Sequence, residues 1–219
     1  MCSNFQAINP QQDKWVYDQF QCQLPDSNWR EEVYPVYHAP FIWMNGDQPR
    51  CELAQFGLVP YWAGDKKKFG LRTYNARSET VAEKPSYRNA WKRRQFGLVI
   101  MQSFYEPNYA SGKAVRERIH RADFAPMAVA SIWERFIDHV TGEHIFSFSM
   151  LTVNADRHPV MQQFHKPDDE KRSIVVLQES DYRNWLQANQ DQARKLLALA
   201  PDDFLTSESL PRLRSTGRF

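Results

Sequence analysis

The chain has 219 residues, 42% of them hydrophobic and 14% aromatic, with a formal net charge of +2. That is enough apolar material for one sizeable β-rich core, and a charge that neither demands nor excludes a nucleic-acid partner. No apolar run approaches the roughly 18 residues needed to span a membrane, and no basic stretch followed by an apolar one marks a signal peptide. The cysteines Cys2, Cys22 and Cys51 are odd in number and lack metal-type spacing. No metal or cofactor is therefore expected, and a reducing cytoplasm is the expected location.

In chain order, residues 3–30 are polar with scattered aromatics (Phe5, Trp15, Tyr17, Phe20), interrupted by Pro10 and Pro25. A short helix is expected around Asp13–Cys22. From Val33 the pattern turns β-like, and Phe41-Ile42-Trp43-Met44 followed by Asn45-Gly46 predicts a hairpin. The return strand is expected from Cys51 to Val59, ending at Pro60. Residues 64–70, with Lys66-Lys67-Lys68, read as a solvated basic loop with a possible phosphate-contacting role. Ser78 or Thr80 could cap a helix running towards Trp91, although Pro85 argues for a break there.

Trp91-Lys92-Arg93-Arg94 is a second basic cluster, and Phe96–Met101 is an apolar strand that leads into Phe104-Tyr105-Glu106-Pro107. Val115–Arg121 predicts a half-exposed strand and Met127–Trp133 a buried one. Thr141-Gly142 predicts a hairpin whose return runs from Ile145 to Val153. A short segment, Asp156–Phe164, ends at His165, and Ile174–Leu177 follows as a further buried strand. Ser180 and Asp181 open the clearest helix, with Tyr182, Trp185 and Leu186 on one face. Hairpins dominate the connections and no linker divides the chain. The expectation is an α+β fold: a single domain over residues 1–200 with a mostly antiparallel, curved or barrel-like sheet and a few flanking helices, then a poorly ordered polar tail over 201–219.

The chemistry begins at Met1-Cys2. Removal of the initiator Met would leave Cys2 with an α-amine and a thiol on adjacent carbons. An α-amine has a pKa of about 7.7–8.0, so a useful fraction is neutral at pH 7. A thiol near 8.5 is a few per cent thiolate and strongly nucleophilic. With an aldehyde, the amine can form a Schiff base and the thiol can close a five-membered thiazolidine. Three further places stand out: Asn75-Ala76-Arg77-Ser78-Glu79-Thr80, Phe104-Tyr105-Glu106, and His165. Singly, each has a plainer reading. Asn75 fits a turn or cap, Glu106 a strand-end carboxylate, His165 a loop histidine, and Arg77 a partner for Glu79 or another surface acid.

Together, in this order, they resemble the SRAP family, the SOS response-associated peptidase or abasic-site-processing domain. Phe56-Gly57-Leu58-Val59-Pro60-Tyr61-Trp62 resembles a further family block, with Phe56 in place of a Trp. The resemblance implies capture of an abasic site, the ring-opened sugar aldehyde left in single-stranded DNA when a base is lost. It implies Cys2 as the nucleophile, Asn75 holding the N-terminus or adduct, Glu106 shuttling protons, and His165 acting on the opened sugar. Arg77 would hold a phosphate, and Pro40 and Trp62 fall at positions near the DNA. The expected partner is abasic single-stranded DNA in the DNA-damage (SOS) response, bound by a monomer in the cytoplasm and nucleoid. The alternatives are a cysteine-type peptidase using Cys2 and a DNA-binding module without chemistry. The chain departs from the family at Ser3-Asn4, where an arginine is usual, at Pro107, where a Trp is usual, and in the longer, acidic run His165-Lys166-Pro167-Asp168-Asp169-Glu170-Lys171-Arg172.

Overall fold

A computed structural model describes residues 2–210. The strands are β1 (Phe5–Ala7), β2 (Glu32–Val33), β3 (His38–Asn45), β4 (Gln48–Phe56), β5 (Asn75–Arg77), β6 (Phe96–Asn108), β7 (Val115–Arg121), β8 (Met127–Ile137), β9 (His144–Asn154), β10 (Arg172–Ile174), β11 (Val176–Leu177) and β12 (Leu205–Ser209). The helices are α1 (Asp13–Phe20), α2 (Lys66–Gly70), α3 (Arg88–Lys92), α4 (Tyr182–Gln187) and α5 (Gln190–Leu196). Strands β3, β4, β9, β8 and β6 pair in that order, and β6 also pairs with β3, so five strands close into a barrel. Closure removes the exposed edges a five-stranded sheet would otherwise present. The remaining strands add to the outside of this ring. Pairing is antiparallel except for β4 and β5, which both run parallel to β9.

The expected curved, barrel-like sheet is thus present, and its cause is visible in adjacent residues. Phe41, Val99, Val129 and Met150 belong to one core, while their chain neighbours Ile42, Leu98, Ala128 and Leu151 belong to a second. Alternation along a strand sends successive side chains to opposite faces. One set therefore fills the barrel, and the other lies under the outer helices with Trp91, Tyr182 and Trp185. Inside, Phe148 stacks on Phe41 at 4.9 Å and on Phe56 at 5.4 Å. Burying each such side chain contributes about 1.5–3 kcal/mol. Gly97 makes room for this stack, since a Cβ there would sit 2.4 Å from Phe41 Cζ.

Several local expectations are corrected. The hairpin turn falls on Gly46-Asp47, with Asn45 paired to Gln48, so the return strand starts before Cys51. It stops at Phe56 because Gly57 has φ +113° and touches Gly70; a Cβ at Gly57 would lie 2.2 Å from the Gly70 carbonyl oxygen. The lysine run is a short helix rather than a loop, capped by Asp65, whose Oδ1 accepts from the Lys68 N–H at 2.9 Å. Neither Ser78 nor Thr80 caps a helix: residues 78–87 form turns, and α3 begins only after Pro85. The apolar run Ile174–Leu177 is two strands. Val175 donates to Leu151 O in β9 and its carbonyl accepts from Ala130 N in β8, so the chain changes partners there.

The helix expected from Asp181 is present as α4 with Tyr182, Trp185 and Leu186 buried, although Asp181 makes no capping hydrogen bond. Unanticipated are α5, opened by an Asn189–Gln192 capping box, and β12, which pairs along β7 from Leu205 to Ser209. That strand lies inside the stretch expected to be a polar tail. An edge strand with the sequence Leu-Thr-Ser-Glu-Ser carries too little apolar signal to be read from pattern. The rest of the expected tail, residues 211–219, lies outside the described residues.

Candidate active site

Cys2 sits between β5 and β6. On one side Asn75 Nδ2 donates to the Cys2 carbonyl at 2.7 Å. On the other, the Tyr105 N–H donates to Asn4 O at 3.2 Å. Asn75 opens β5, held in register by Met150 of β9, and its own carbonyl accepts from Tyr87 Oη at 3.0 Å. The opposite end of its side chain, Oδ1, is buried and has no hydrogen-bond partner among the described residues. That is a costly state for an amide oxygen, and one that an N–H donor entering the site would relieve.

Glu106 enters from the end of β6 and is 3% exposed. His165 Nε2 lies 3.3 Å from Glu106 Oε2. The loop carrying His165 is tied to the same strand: its N–H donates to Pro107 O at 3.0 Å, and Phe164 bridges to Asn108. His165 adopts φ +66°, a left-handed conformation in which histidine is over-represented among non-glycine residues. A residue held there beside a buried carboxylate is the kind of local strain that clusters at functional sites. Four residues far apart in sequence, Cys2, Asn75, Glu106 and His165, are thus linked through β5, β6 and one loop.

The thiol of Cys2 is buried, and its hydrogen is directed at Asn4 O, 3.4 Å away. Burial, with the negative charge of Glu106 adding in the same direction, pushes this thiol well above the usual cysteine range. Tyr74, raised first by burial and then by the charges of Cys2 and Glu106, lines the same space. Tyr87 is pushed up to about 12, mainly by burial. Tyr74 and Tyr87 were not singled out from the sequence. The only available signal for Tyr74 is that it precedes Asn75.

Charged residues form the rim. Arg77 is half-exposed and its Nη1 donates to Glu170 Oε2 at 2.7 Å. The Arg77 pairing with a surface acid therefore occurs, with Glu170 rather than Glu79. Glu79 instead takes a two-pronged bond from Arg172, at 2.9 and 3.1 Å. Arg172 is only 2% exposed and also donates to Glu170 and to Thr152 O. Glu170 is consequently drawn down to about 2, by Arg172 first and then by Asn154, with Arg77 adding. The acidic loop after His165 is thereby fastened to the Arg77 block.

The two other candidates for DNA contact separate. Trp62 is 44% exposed, on the loop between β4 and α2, with its ring edge-on to Phe69 at 5.1 Å. Pro40 is buried in β3 opposite Leu53 and does not present an exposed apolar wedge. Among the described residues no cluster of His, Cys, Asp and Glu has the arrangement of a metal site, and no helix is long and apolar enough to cross a membrane.

The chain is similar to known proteins in sequence and in fold. The chain is 27% identical over 192 residues to abasic site processing proteins YoaM and YoqW of Bacillus subtilis (strain 168), covering 85% of this chain and 79% and 80% of those proteins. A crystal structure of a Bordetella bronchiseptica protein superposes with a TM-score of 0.87 at 32% identity, covering 96% of this chain and all of that one. A Bacteroides thetaiotaomicron protein shares the fold, with a TM-score of 0.80 at 18% identity over 96% of this chain and 93% of the other. The family profile described as SOS response associated peptidase (SRAP) matches residues 1–211, and the chain belongs to that family.

Proposed function

We propose that the protein captures abasic sites in single-stranded DNA by forming a thiazolidine with Cys2 once Met1 has been removed. The observation that carries this reading is the hydrogen bond from Asn75 Nδ2 to the Cys2 carbonyl, which fixes the second residue beside the buried Glu106 and its neighbour His165. The related abasic site processing proteins support the substrate class.

The reaction follows from the groups present. His165 moves the proton that accompanies opening of the sugar to its aldehyde. Glu106 takes a proton from the Cys2 ammonium and frees its lone pair. The amine adds to the aldehyde carbon, and the resulting carbinolamine loses water to give an imine. The thiol then adds to the imine carbon while its proton passes to the ring nitrogen through Glu106. One C–N and one C–S bond form, one water leaves, and no oxidant is required. Burial raises the pKa of this thiol, in keeping with the amine adding first. A thiolate-first peptidase needs the opposite shift. Arg77 and the exposed Trp62 would take a phosphate and a base of the strand. All four reacting groups come from one chain, so this reading needs no second copy.

The test is intact mass after incubation with single-stranded DNA carrying one abasic site. The expected product has the mass of the protein without Met1, plus DNA, less one water, and survives heating. Cys2→Ser should give no stable adduct, although a transient imine could still be trapped by borohydride. Turnover of peptides with no adduct would instead favour the peptidase, and salt-sensitive binding with neither would favour a binding module.

A further inference from the structure

On the side of Cys2 away from Arg77, β6 pairs with β7, with Pro107 opposite Arg116 and Glu106 opposite Glu117. The segment leading from Cys2 into β1 runs along the other edge of β6, through the Tyr105 to Asn4 hydrogen bond. Arg116 is therefore about two strand spacings, roughly 10 Å, from the N-terminal segment. It lies one rung before the last pair of the ladder, Asn108 with Val115. Its pairing with Pro107 sets it on the face of β6 that carries Tyr105, next to the rung that carries Glu106 on the other face.

The arginine there is held in an unusual way. Its guanidinium lies over the ring of Tyr105, 3.7 Å from the centroid. Tyr105 is the residue before Glu106. One nitrogen, Nη2, also bonds Glu32 Oε1. The same oxygen accepts from Asn4 Nδ2 and, at 2.7 Å, from Tyr34 Oη. Glu32 is thus shared by three donors, while Arg116 remains 44% exposed and spends one of its five N–H groups on it. Stacking fixes the plane of the guanidinium without occupying its edge.

We propose that Arg116 is a second phosphate-binding arginine, on the flank of Cys2 opposite Arg77. The sugar-phosphate backbone is then gripped on both sides of the reacting nucleotide. This rests on the abasic-site reading above and adds to it the path of the strand: from Arg77 beside β5, across Cys2, to Arg116 on β7. Tyr105 and Glu32 are positioning residues that pre-set the guanidinium, so less side-chain freedom is lost on binding.

The experiment uses single-stranded DNA with a tetrahydrofuran abasic analogue, which has no aldehyde and reads binding alone. Affinity is measured across a salt series. Arg116→Ala should weaken binding several-fold and lower the salt slope by about 0.7, one single-strand phosphate contact. Arg116→Lys should restore the slope but only part of the affinity. The pair Arg116→Ala with Glu32→Gln separates phosphate binding from charge neutralisation. If Arg116 only balances Glu32, the double variant regains wild-type affinity; if it holds phosphate, the double variant stays weak. Wild-type affinity and slope in Arg116→Ala, or full rescue in the double variant, overturns the proposal. A wild-type protein that neither binds this DNA nor crosslinks to an authentic abasic site would instead remove the functional reading beneath it.

Discussion

The reacting centre and its charged rim use polar groups in opposite ways. At the centre, Cys2 and Glu106 are 1% and 3% exposed, and one amide oxygen, Asn75 Oδ1, is left unsatisfied. At the rim, Arg77, Glu170, Arg172 and Glu79 satisfy one another in a continuous ladder, and three of the four reach solvent. Removal from water magnifies electrostatic effects at the centre, so small changes there alter reactivity. Charges at the rim can be exchanged for phosphate at little cost, because solvent already screens them. The difference separates what makes the bond from what admits the strand.

The widest separation should come from the centre. Glu106→Gln and His165→Ala should each slow crosslinking by roughly 10²–10⁴-fold, the range for a lost acid or base. Affinity for the tetrahydrofuran analogue should barely move. Supplying a substrate locked in the open-chain aldehyde form should rescue His165→Ala more than Glu106→Gln, because the histidine is assigned to ring opening. Equal rescue would show the two roles to be wrongly divided.

Arg172 tests the ladder where it turns inward. Arg172→Leu removes six hydrogen bonds to Glu79, Glu170 and Thr152, while Thr152 O keeps the Ser78 N–H at 3.0 Å. Its two carboxylate partners remain reachable by water, so the full penalty of an unpaired buried charge does not apply. A loss of about 2–3 kcal/mol is expected, set by the lost charged hydrogen bonds. Urea unfolding measures it. Among folded molecules, crosslinking should remain close to normal; a collapse in rate without loss of stability would place Arg172 in the chemistry instead.

That residue also marks the limit of what the sequence makes legible. The barrel is written in the alternation of Phe41 and Ile42, Leu98 and Val99, Ala128 and Val129. Asn75, Glu106 and His165 sit in recognisable blocks, and their convergence follows from the order of strands. The fate of a charge in a polar run is not written locally. From His165 to Arg172 every charged type is present, and nothing in the spacing marks Arg172 as the one that is buried. It is decided by register, since Arg172 lies opposite Asn154 and can reach Thr152 on β9. Pro40 makes the same point from the other side: its burial in β3, opposite Leu53, is set by register and not marked by its neighbours in sequence.

A smaller effect should come from the exposed end of the ladder. Glu170→Gln removes the acid that occupies Arg77 Nη1 and keeps a neutral acceptor for Arg172. Binding of the tetrahydrofuran strand should tighten by about 2–5-fold, up to roughly 1 kcal/mol for an exposed pair. Arg77→Ala should weaken it. In the double variant the gain should vanish, because Glu170 acts through Arg77; a gain that persists without Arg77 would mean the acidic loop repels DNA as a whole.

The smallest effect is in pH dependence, and it again divides buried from exposed. His158 is 2% exposed, and its Nδ1 accepts the N–H groups of Val160 and Met161, both at 3.2 Å, at the start of the segment leading to His165. Burial holds its pKa below the usual histidine value, outweighing the raising influence of Asp202 and the Ala200 backbone. The unfolded chain therefore binds this proton more readily than the folded one. Stability tied to His158 is present above the ordinary value of about 6.5 and is lost as pH falls through the lower folded value. Glu170 has the same sign in a lower window, between its ordinary value near 4.5 and about 2 in the fold. Unfolding by urea should show stability declining in two steps on acidification. His158→Asn keeps an acceptor where Nδ1 stands and cannot titrate, so it should flatten the upper step and leave the lower one. Glu170→Gln should do the reverse. If His158→Asn leaves the slope between pH 7 and 5 unchanged, the neutral ring is not what holds the turn before His165.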